Sequence, residues 1–476
     1  MSSRSLIIAS LALAAALVAP RAIACAQTSA PRDTIRLSVD DAVTRALRAS
    51  PDARIAAAQI EVADAQIETA RASALPQLAF NGSYQQVLEN ARASIVSSVF
   101  GQRFTYTANA RLTQNLFQGG RVFAGSRAAG NVRSATRLDQ QETRSLLSVT
   151  AQRAYLNALF TAQLVDIEQR NLTLAEDRVR QLEELEKGGR ASRYDVLTAR
   201  VSRSNLEPQV LQAQSNRQLA MLSLKQLLNL PVEQPVVLTS ALDTAGLAEV
   251  VERTFVDTAR ATTRPAIRSA EFTLDARKQG IRVARADFLP TVSAFIQSGY
   301  LALPTSNGLP TSFGRTSVDF CPPGTADGRA CQNNGWFADR NFGLQVSWPL
   351  FDGLRAKGNL DLAQAQEKLA RVQVDQVRER VAIEQAQAIS ELERARAAFA
   401  AQRQNSAEAD EAFRLASLRF ARGLSTQLEV SDAQLALLTA QTNELRAVYD
   451  LYLATAEVAR ARGGTIPLPP TRRTER

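Results

Sequence analysis

A chain of 476 residues, 45% of them hydrophobic, is long enough for about two to three ordinary domains and a sizeable buried core. It contains no histidine, which removes the commonest general base and metal ligand and argues against most hydrolases and metalloenzymes. The net charge of +9, two less without Arg4 and Arg21, is carried by Arg interleaved with Glu and Asp, as in Glu391-Leu392-Glu393-Arg394; lacking a basic stripe, it predicts solvated helix surfaces and no nucleic-acid partner.

Residues 1–26 read as a secretory signal peptide, with Arg4 as the charged start, Leu6 to Val18 as the apolar run and Ala24-Cys25-Ala26 as the small residues before cleavage. Cys25, preceded by Ala22-Ile23-Ala24, leaves a second reading open, lipidation of that cysteine, although Ala22 stands where leucine is expected. No later run reaches the ~18 apolar residues of a membrane helix, so an exported chain is expected that does not cross a membrane by helices.

The mature chain holds two copies of one plan. Pro51 returns as Pro265 and Pro76 as Pro290, both a step of 214 residues; Gly119 returns as Gly353 and Gly189 as Gly423, both a step of 234. Repeat 1 is expected over 27–236 and repeat 2 over 248–462, with a linker at 237–247 and a tail at 463–476. In repeat 1 a helix spans about 39–75, strands follow at 77–88 and 103–114, and a long helical hairpin covers 120–230 with its tip at 188–192. The seam Leu146, Val149, Leu156, Phe160, Leu164, Ile167 and Leu174 advances by threes, fours and sevens, a coiled-coil cadence. In repeat 2 a helix leads to strands at 291–300 and 341–350, then to a hairpin at 353–461 with its tip at 422–426. The extra residues of repeat 2 lie between Pro290 and Leu350 and include Cys321 and Cys331, which in an oxidising compartment are expected to form a loop disulfide.

The four strands alternate with period two. Phe342, Leu344, Val346, Trp348 and Leu350 alternate with Asn341, Gly343, Gln345 and Ser347, and Leu78, Phe80 and Tyr84 alternate with small or polar neighbours. Such segments of about ten residues carry the weak signature of a transmembrane β-barrel. Four strands cannot close around a pore, and an open sheet edge cannot exist in lipid, so the chain must supply part of a shared barrel. Two copies would give eight strands with a filled interior, whereas three would give twelve and a lumen.

The two-repeat layout, with the turns Gly189-Arg190-Ala191-Ser192-Arg193-Tyr194-Asp195-Val196 and Gly423-Leu424-Ser425-Thr426-Gln427-Leu428-Glu429-Val430, resembles the TolC family of outer-membrane factors. The resemblance implies a mainly α chain with a membrane β-barrel: long coiled-coil hairpins plus four strands per protomer, in a homotrimer that shares a twelve-stranded barrel and a helical tube in the periplasm. It implies a cell outer membrane location, with outer-membrane lipid, a periplasmic adaptor and an inner-membrane transporter as partners. Adaptor docking would fall on the tips, at Gly189, Ser192, Gly423 and Thr426. The periplasmic entrance and gate would involve Asp195, Glu429 and Asp432, the last two matching the family's entrance acids. The family's latch joins a tyrosine and an arginine to the first repeat's acid. Here Phe420 and Ser425 occupy those places, so closure would rest on packing or other pairs. Independently of any family, Ser192 with Asp195 and Thr426 with Glu429 fit helix-capping arrangements.

The expected function is a passive exit duct of a tripartite efflux pump or type I secretion system, with drugs, small molecules or proteins as cargo. The sequence offers no phosphate loop, no nucleophile with a base and no metal-ligand cluster; no enzyme activity, cofactor or metal is expected. The rival from another class is a periplasmic coiled-coil structural or adaptor protein without a membrane barrel.

Overall fold

Glycine and proline set the places where this chain changes from helix to strand and back. The computed structural model describes residues 34–89, 104–240, 242, 264–302, 304, 309, 312–315 and 335–463. The leader, Cys25, Cys321, Cys331, nearly all of the linker after residue 240 and the tail after 463 lie outside the described residues.

Strand β1 (Ile35–Leu37) leads to helix α1 (Val39–Ala49), started by a capping box in which Ser38 and Asp41 satisfy each other's backbone N–H. Ser50 ends α1 in extended backbone and caps α2 (Pro51–Ala72) by accepting from the Ala53 N–H at 3.2 Å. The single helix expected over 39–75 is therefore two helices. Pro51 lacks an N–H and drives the residue before it out of the helical region, so the break falls at Ser50. Antiparallel β2 (Gln77–Gln86) and β3 (Phe104–Gln118) follow. Gly119 and Gly120, at φ +60° and +79°, turn the chain into α3 (Arg121–Lys187), whose 67 residues make a rod of about 100 Å. Helix α4 (Arg193–Leu227) returns, and β4 (Val236–Leu238) pairs in parallel with β1, a small sheet whose second strand begins at the last residue read as repeat 1 and runs into the stretch read as linker.

Repeat 2 runs through α5 (Pro265–Arg285), a 3-10 turn at Ala286–Phe288, β5 (Thr291–Ala302), β6 (Ser312–Arg315), β7 (Gly335–Ser347), α6 (Arg355–Ala421) and α7 (Gln427–Ala461). Helices α3 and α6 are both 67 residues long, and α4 and α7 both 35. Besides β1 and β4, which the sequence reading did not include, two differences concern the strands of repeat 2. β6 is a fifth, short strand of the large sheet, paired in parallel with the Gly335–Phe337 end of β7 only. β7 also starts six residues earlier than expected and stops at Ser347, since Pro349 cannot join a ladder.

The large sheet has the order β2-β3-β5-β7-β6. Its registers put Leu78, Leu112, Ile296 and Phe342 in one cross-strand row on one face. Leu344 and Val346 continue that face, and it is open: Phe80 is 75% exposed, Phe342 86% and Leu344 70%. The opposite face is polar, with rows Asn109–Gly299–Asp339 and Arg111–Gln297–Asn341, and with Arg111 lying 4.5 Å over the Phe295 ring.

The helices form two arrays end to end. Nearer the sheet the packing order is α2, α3, α5, α6; toward the hairpin tips it is α4, α3, α7, α6. Both arrays are open, because neither α2 nor α4 makes extended contact with α6. The main core is a belt where the two arrays meet, built from Leu147, Tyr155, Leu156, Leu224, Leu392, Val448 and Val458 with their neighbours. Tyr155 is fully buried; its hydroxyl donates to the Leu37 carbonyl at 2.8 Å and accepts from the Ser240 N–H at 3.1 Å, tying α3 to both ends of repeat 1. Val149, Leu156 and Ile167 of the expected seam are buried, whereas Leu146 and Leu174 are exposed. A heptad stripe drifts about 20° per repeat around a straight 3.6-residue helix, which turns both ends of a four-heptad seam out of contact.

In that belt α5 takes the place of α7, as α2 takes the place of α4. Repeat 1 makes the change with the buried capping Ser50; repeat 2 has Arg264 at the equivalent site, 5% exposed, bonded to Glu142 of α3 and, at 2.5 Å, to Glu384 of α6. Arg460 of α7 approaches the same carboxylates at 4.0 and 3.6 Å. Burial alone would raise the Glu384 carboxyl, but the hydrogen bond and charge of Arg264, with Arg460 and Arg380 adding, hold it below the usual carboxylate range. Removing this arginine takes away the hydrogen-bonded partner of two half-buried carboxylates and leaves only the longer contacts of Arg460. Arg264→Ala is therefore expected to destabilise the fold by about 3 kcal/mol in chemical denaturation near neutral pH. A carboxyl depressed in the folded state contributes stability above its unfolded value and loses it on acidification, so the deficit of the variant should shrink as pH falls below about 4.5.

Candidate functional site at the hairpin tips

Both tips are closed by the same backbone device. In the first, the Gly189 N–H donates to the Glu186 carbonyl at 2.9 Å and the Arg190 N–H to Leu185 at 2.8 Å; in the second, Gly423 donates to Phe420 and Leu424 to Arg419, both at 2.9 Å. These are Schellman closures, which require left-handed backbone at the central residue, and Gly189 and Gly423 sit at φ +70° and +76°. An added Cβ would meet nothing at either glycine, so backbone conformation alone demands glycine there.

The returning helices are capped unequally. Ser192 and Asp195 form a full capping box: the Ser192 hydroxyl accepts from the Asp195 N–H, and the Asp195 carboxylate accepts from the Ser192 N–H, both at 3.1 Å. Thr426 accepts from the Glu429 N–H at 3.3 Å, but among the described residues Glu429 returns no bond. Its carboxylate stands free and exposed.

The two tips lie side by side because α3 packs on α7. Between α4 and α7 runs a groove of about 510 Å³ that draws Asp195 and Thr426 together with Asp432, and adds Asn171, Tyr194 and Leu435. Glu429 is not among its lining residues. Phe420 packs against Leu182, Val196 and Ala199, and the Ser425 hydroxyl donates back to the Ala416 carbonyl at 3.4 Å. Neither makes a hydrogen bond to Asp195.

The link between tips is made instead by Arg178, which the sequence reading did not single out. Its guanidinium lies 3.8 Å over the Phe420 ring, its Nε donates to Gln427 Oε1 at 2.6 Å and its Nη1 to Gln181 Oε1 at 2.9 Å. Burial lowers its pKa to about 10, so it keeps its charge at neutral pH. Two turns further from the tip, Gln434 Nε2 donates to the buried Asn171 Oδ1 at 2.7 Å. One arginine within an evenly mixed helix surface carries no pattern of its own, and its partner on the second tip, Gln427, lies 249 residues away, so no local signal marks the link.

The outer membrane efflux protein family model matches residues 42–230 and 258–464. The pyoverdine export outer membrane protein OpmQ of Pseudomonas putida is 24% identical over 432 residues, covering 90% of this chain and 86% of the relative. The CmeC outer membrane channel of Campylobacter jejuni superposes with a TM-score of 0.72 at 17% identity, covering 90% of this chain and 86% of that one. The outer membrane protein VceC of Vibrio cholerae gives 0.69 at 21% identity, covering 90% and 96%. At these identities the structural likeness shows a shared fold. With most of the chain matched in both repeats, the chain belongs to the outer membrane efflux protein family.

Proposed function

We propose that three copies of this chain close into a passive outer-membrane exit duct, with the sheets joined as a twelve-stranded barrel and the helices as a tube in the periplasm. The observation that carries this reading is a sheet whose apolar face is exposed over most of its length, from Leu78 and Phe80 to Ile296, Phe342 and Leu344, with burial at its loop end at Phe104, Ala302 and Trp336, together with three arrays, the sheet and both helix layers, that are open at both ends. Each array has a repeat 1 element at one end, β2, α2 or α4, and a repeat 2 element at the other, β7 or α6. The short β6 covers only one end of β7, so the remainder of that edge is available to β2 of a neighbour. Three copies of the four long strands make twelve, enough for a lumen lined by the polar face.

In this reading the tips meet a periplasmic adaptor, which couples the duct to an inner-membrane transporter. Gly189, Ser192, Gly423 and Thr426 shape the docking ends, and Glu429 and Asp432, repeated by symmetry, ring the entrance. Cargo export proceeds without catalysis by this chain, and opening is a shift of α7 against α3 at the tips. The pyoverdine export named for OpmQ favours efflux of small molecules over type I protein secretion.

Wild-type protein should sediment with outer membranes, migrate as a trimer that only heating disperses, and conduct in planar bilayers. A water-soluble periplasmic pool without conductance would instead favour the coiled-coil adaptor alternative. Arg178→Ala should leave the trimer intact and raise the leak conductance of the resting channel, because it removes the cation–π contact and the Gln427 bond together; an unchanged leak would exclude this arginine from closure. Asp432→Asn should lower cation selectivity, read as a shifted reversal potential in a salt gradient and most clearly at low ionic strength.

A further inference from the structure

The registers of the sheet assign every side chain of the four long strands to one of two faces. On the exposed apolar face stand Leu78, Phe80, Leu112, Ile296, Phe342, Leu344 and Val346. Among the described residues of β2, β3, β5 and β7 one charged side chain shares that face, Arg340, opposite Ser298 and exposed. It makes no ion pair or hydrogen bond among the described residues. Asp339 and Arg111, by contrast, face the polar side.

A cation at the middle of a bilayer is costly, while near the interface it is nearly free, so Arg340 belongs at a membrane boundary. Strand length agrees. Trp348, its indole N–H donating to the Phe288 carbonyl at 3.2 Å, is a large exposed aromatic at the helix end of β7. From there to Arg340 is about nine residues, the span of a tilted strand across the hydrocarbon. Beyond Arg340, toward the loops, the same face carries Tyr106 with Tyr84 and Trp336 at ring-centroid distances of 4.9 and 6.3 Å, with Tyr84 exposed, Tyr106 half-buried and Trp336 buried; aromatic residues also mark the interfaces of membrane barrels. The loop end points away from the helices; with the helices in the periplasm, it meets the outer leaflet.

Resting on the membrane reading above, we propose that Arg340 is a lipid site: its guanidinium, with the Ser298 hydroxyl beside it, takes a phosphate of the phosphorylated glycolipid of the outer leaflet. A planar guanidinium donates two parallel hydrogen bonds to a phosphate, and at an interface of lowered dielectric such a contact is strong. The strands flanking it supply the apolar surface on which acyl chains lie.

Delipidated trimers of the wild type, Arg340→Ala and Arg340→Lys, mixed with lipid A, phosphatidylglycerol or phosphatidylcholine, separate the outcomes by native mass spectrometry. Lipid A should bind the wild type in preference to both phospholipids, roughly tenfold more weakly after Arg340→Ala, with partial recovery in Arg340→Lys. Equal lipid A binding by wild type and Arg340→Ala overturns the site, and equal binding of phosphatidylglycerol overturns the glycolipid as its occupant. If Arg340→Ala does not assemble, Arg340→Gln keeps the side-chain length without the charge. Loss of the trimer in both neutral variants when no lipid is added would show that Arg340 joins copies and would likewise overturn the proposal. Failure of the wild type itself to enter vesicles would defeat the membrane reading, whereas insertion of all variants with equal lipid A binding defeats only the role of Arg340.

Discussion

An outermost strand placed in hydrocarbon has no water to receive its unpaired N–H and C=O groups. That constraint governs how this chain reads as a whole. β2 and most of β7 are edges, and the face they share is apolar and exposed, so the sheet is incomplete in the solvent its side chains suit. In the proposed assembly neighbouring copies would remove the difficulty without any new kind of contact, since β2 and most of β7 are edges at opposite sides of the sheet. The helical arrays below it end in the same sense, with α2 or α4 at one side and α6 at the other. One symmetry operation would therefore close all three layers.

Stability is distributed unevenly along the helices. The belt where α5 takes over from α7 holds Tyr155, the Arg264 network and most of the large buried side chains. Near the tips the buried cluster shrinks to Leu182, Val196 and Ala199, supported by Phe420 and the Arg178 guanidinium. Segments with few buried apolar contacts open at the lowest free energy. In the proposed duct this distribution would put the gate at the tips and the anchor at the belt.

The long elements were legible because their signals are local. Glycines stand at both ends of each 67-residue helix, Gly120 and Gly188 for α3 and Gly353 and Gly423 for α6, and period-two alternation marked the strands. Pro51 split the first helix even though its apolar periodicity runs through, which shows a steric rule overriding a hydrophobic one. Asp339 and Arg340 concealed the first half of β7, because a charged pair reads as loop although Trp336 and Ala338 keep the alternation. At the tips the glycines and the Ser192–Asp195 box were visible as spacing, and the groove shared by Asp195 and Asp432 joins residues from both repeats. Arg178 and Gln427 were not visible, since only the packing of α3 on α7 brings them together. That Phe420 and Ser425 stand where the resemblance implies a tyrosine and an arginine could be read; the Arg178 guanidinium over the Phe420 ring could not.

The central claim is that β2 of one copy seals the edge of β7 of the next. With the native cysteines replaced, one cysteine at Gln345 in β7 combined in turn with single cysteines along 77–86 in β2 tests it directly in oxidised outer membranes. The account predicts covalent trimers on non-reducing gels for a subset of positions spaced by two, in agreement with strand alternation. Cross-links confined to single chains, or none at any position in a folded and inserted protein, would contradict it.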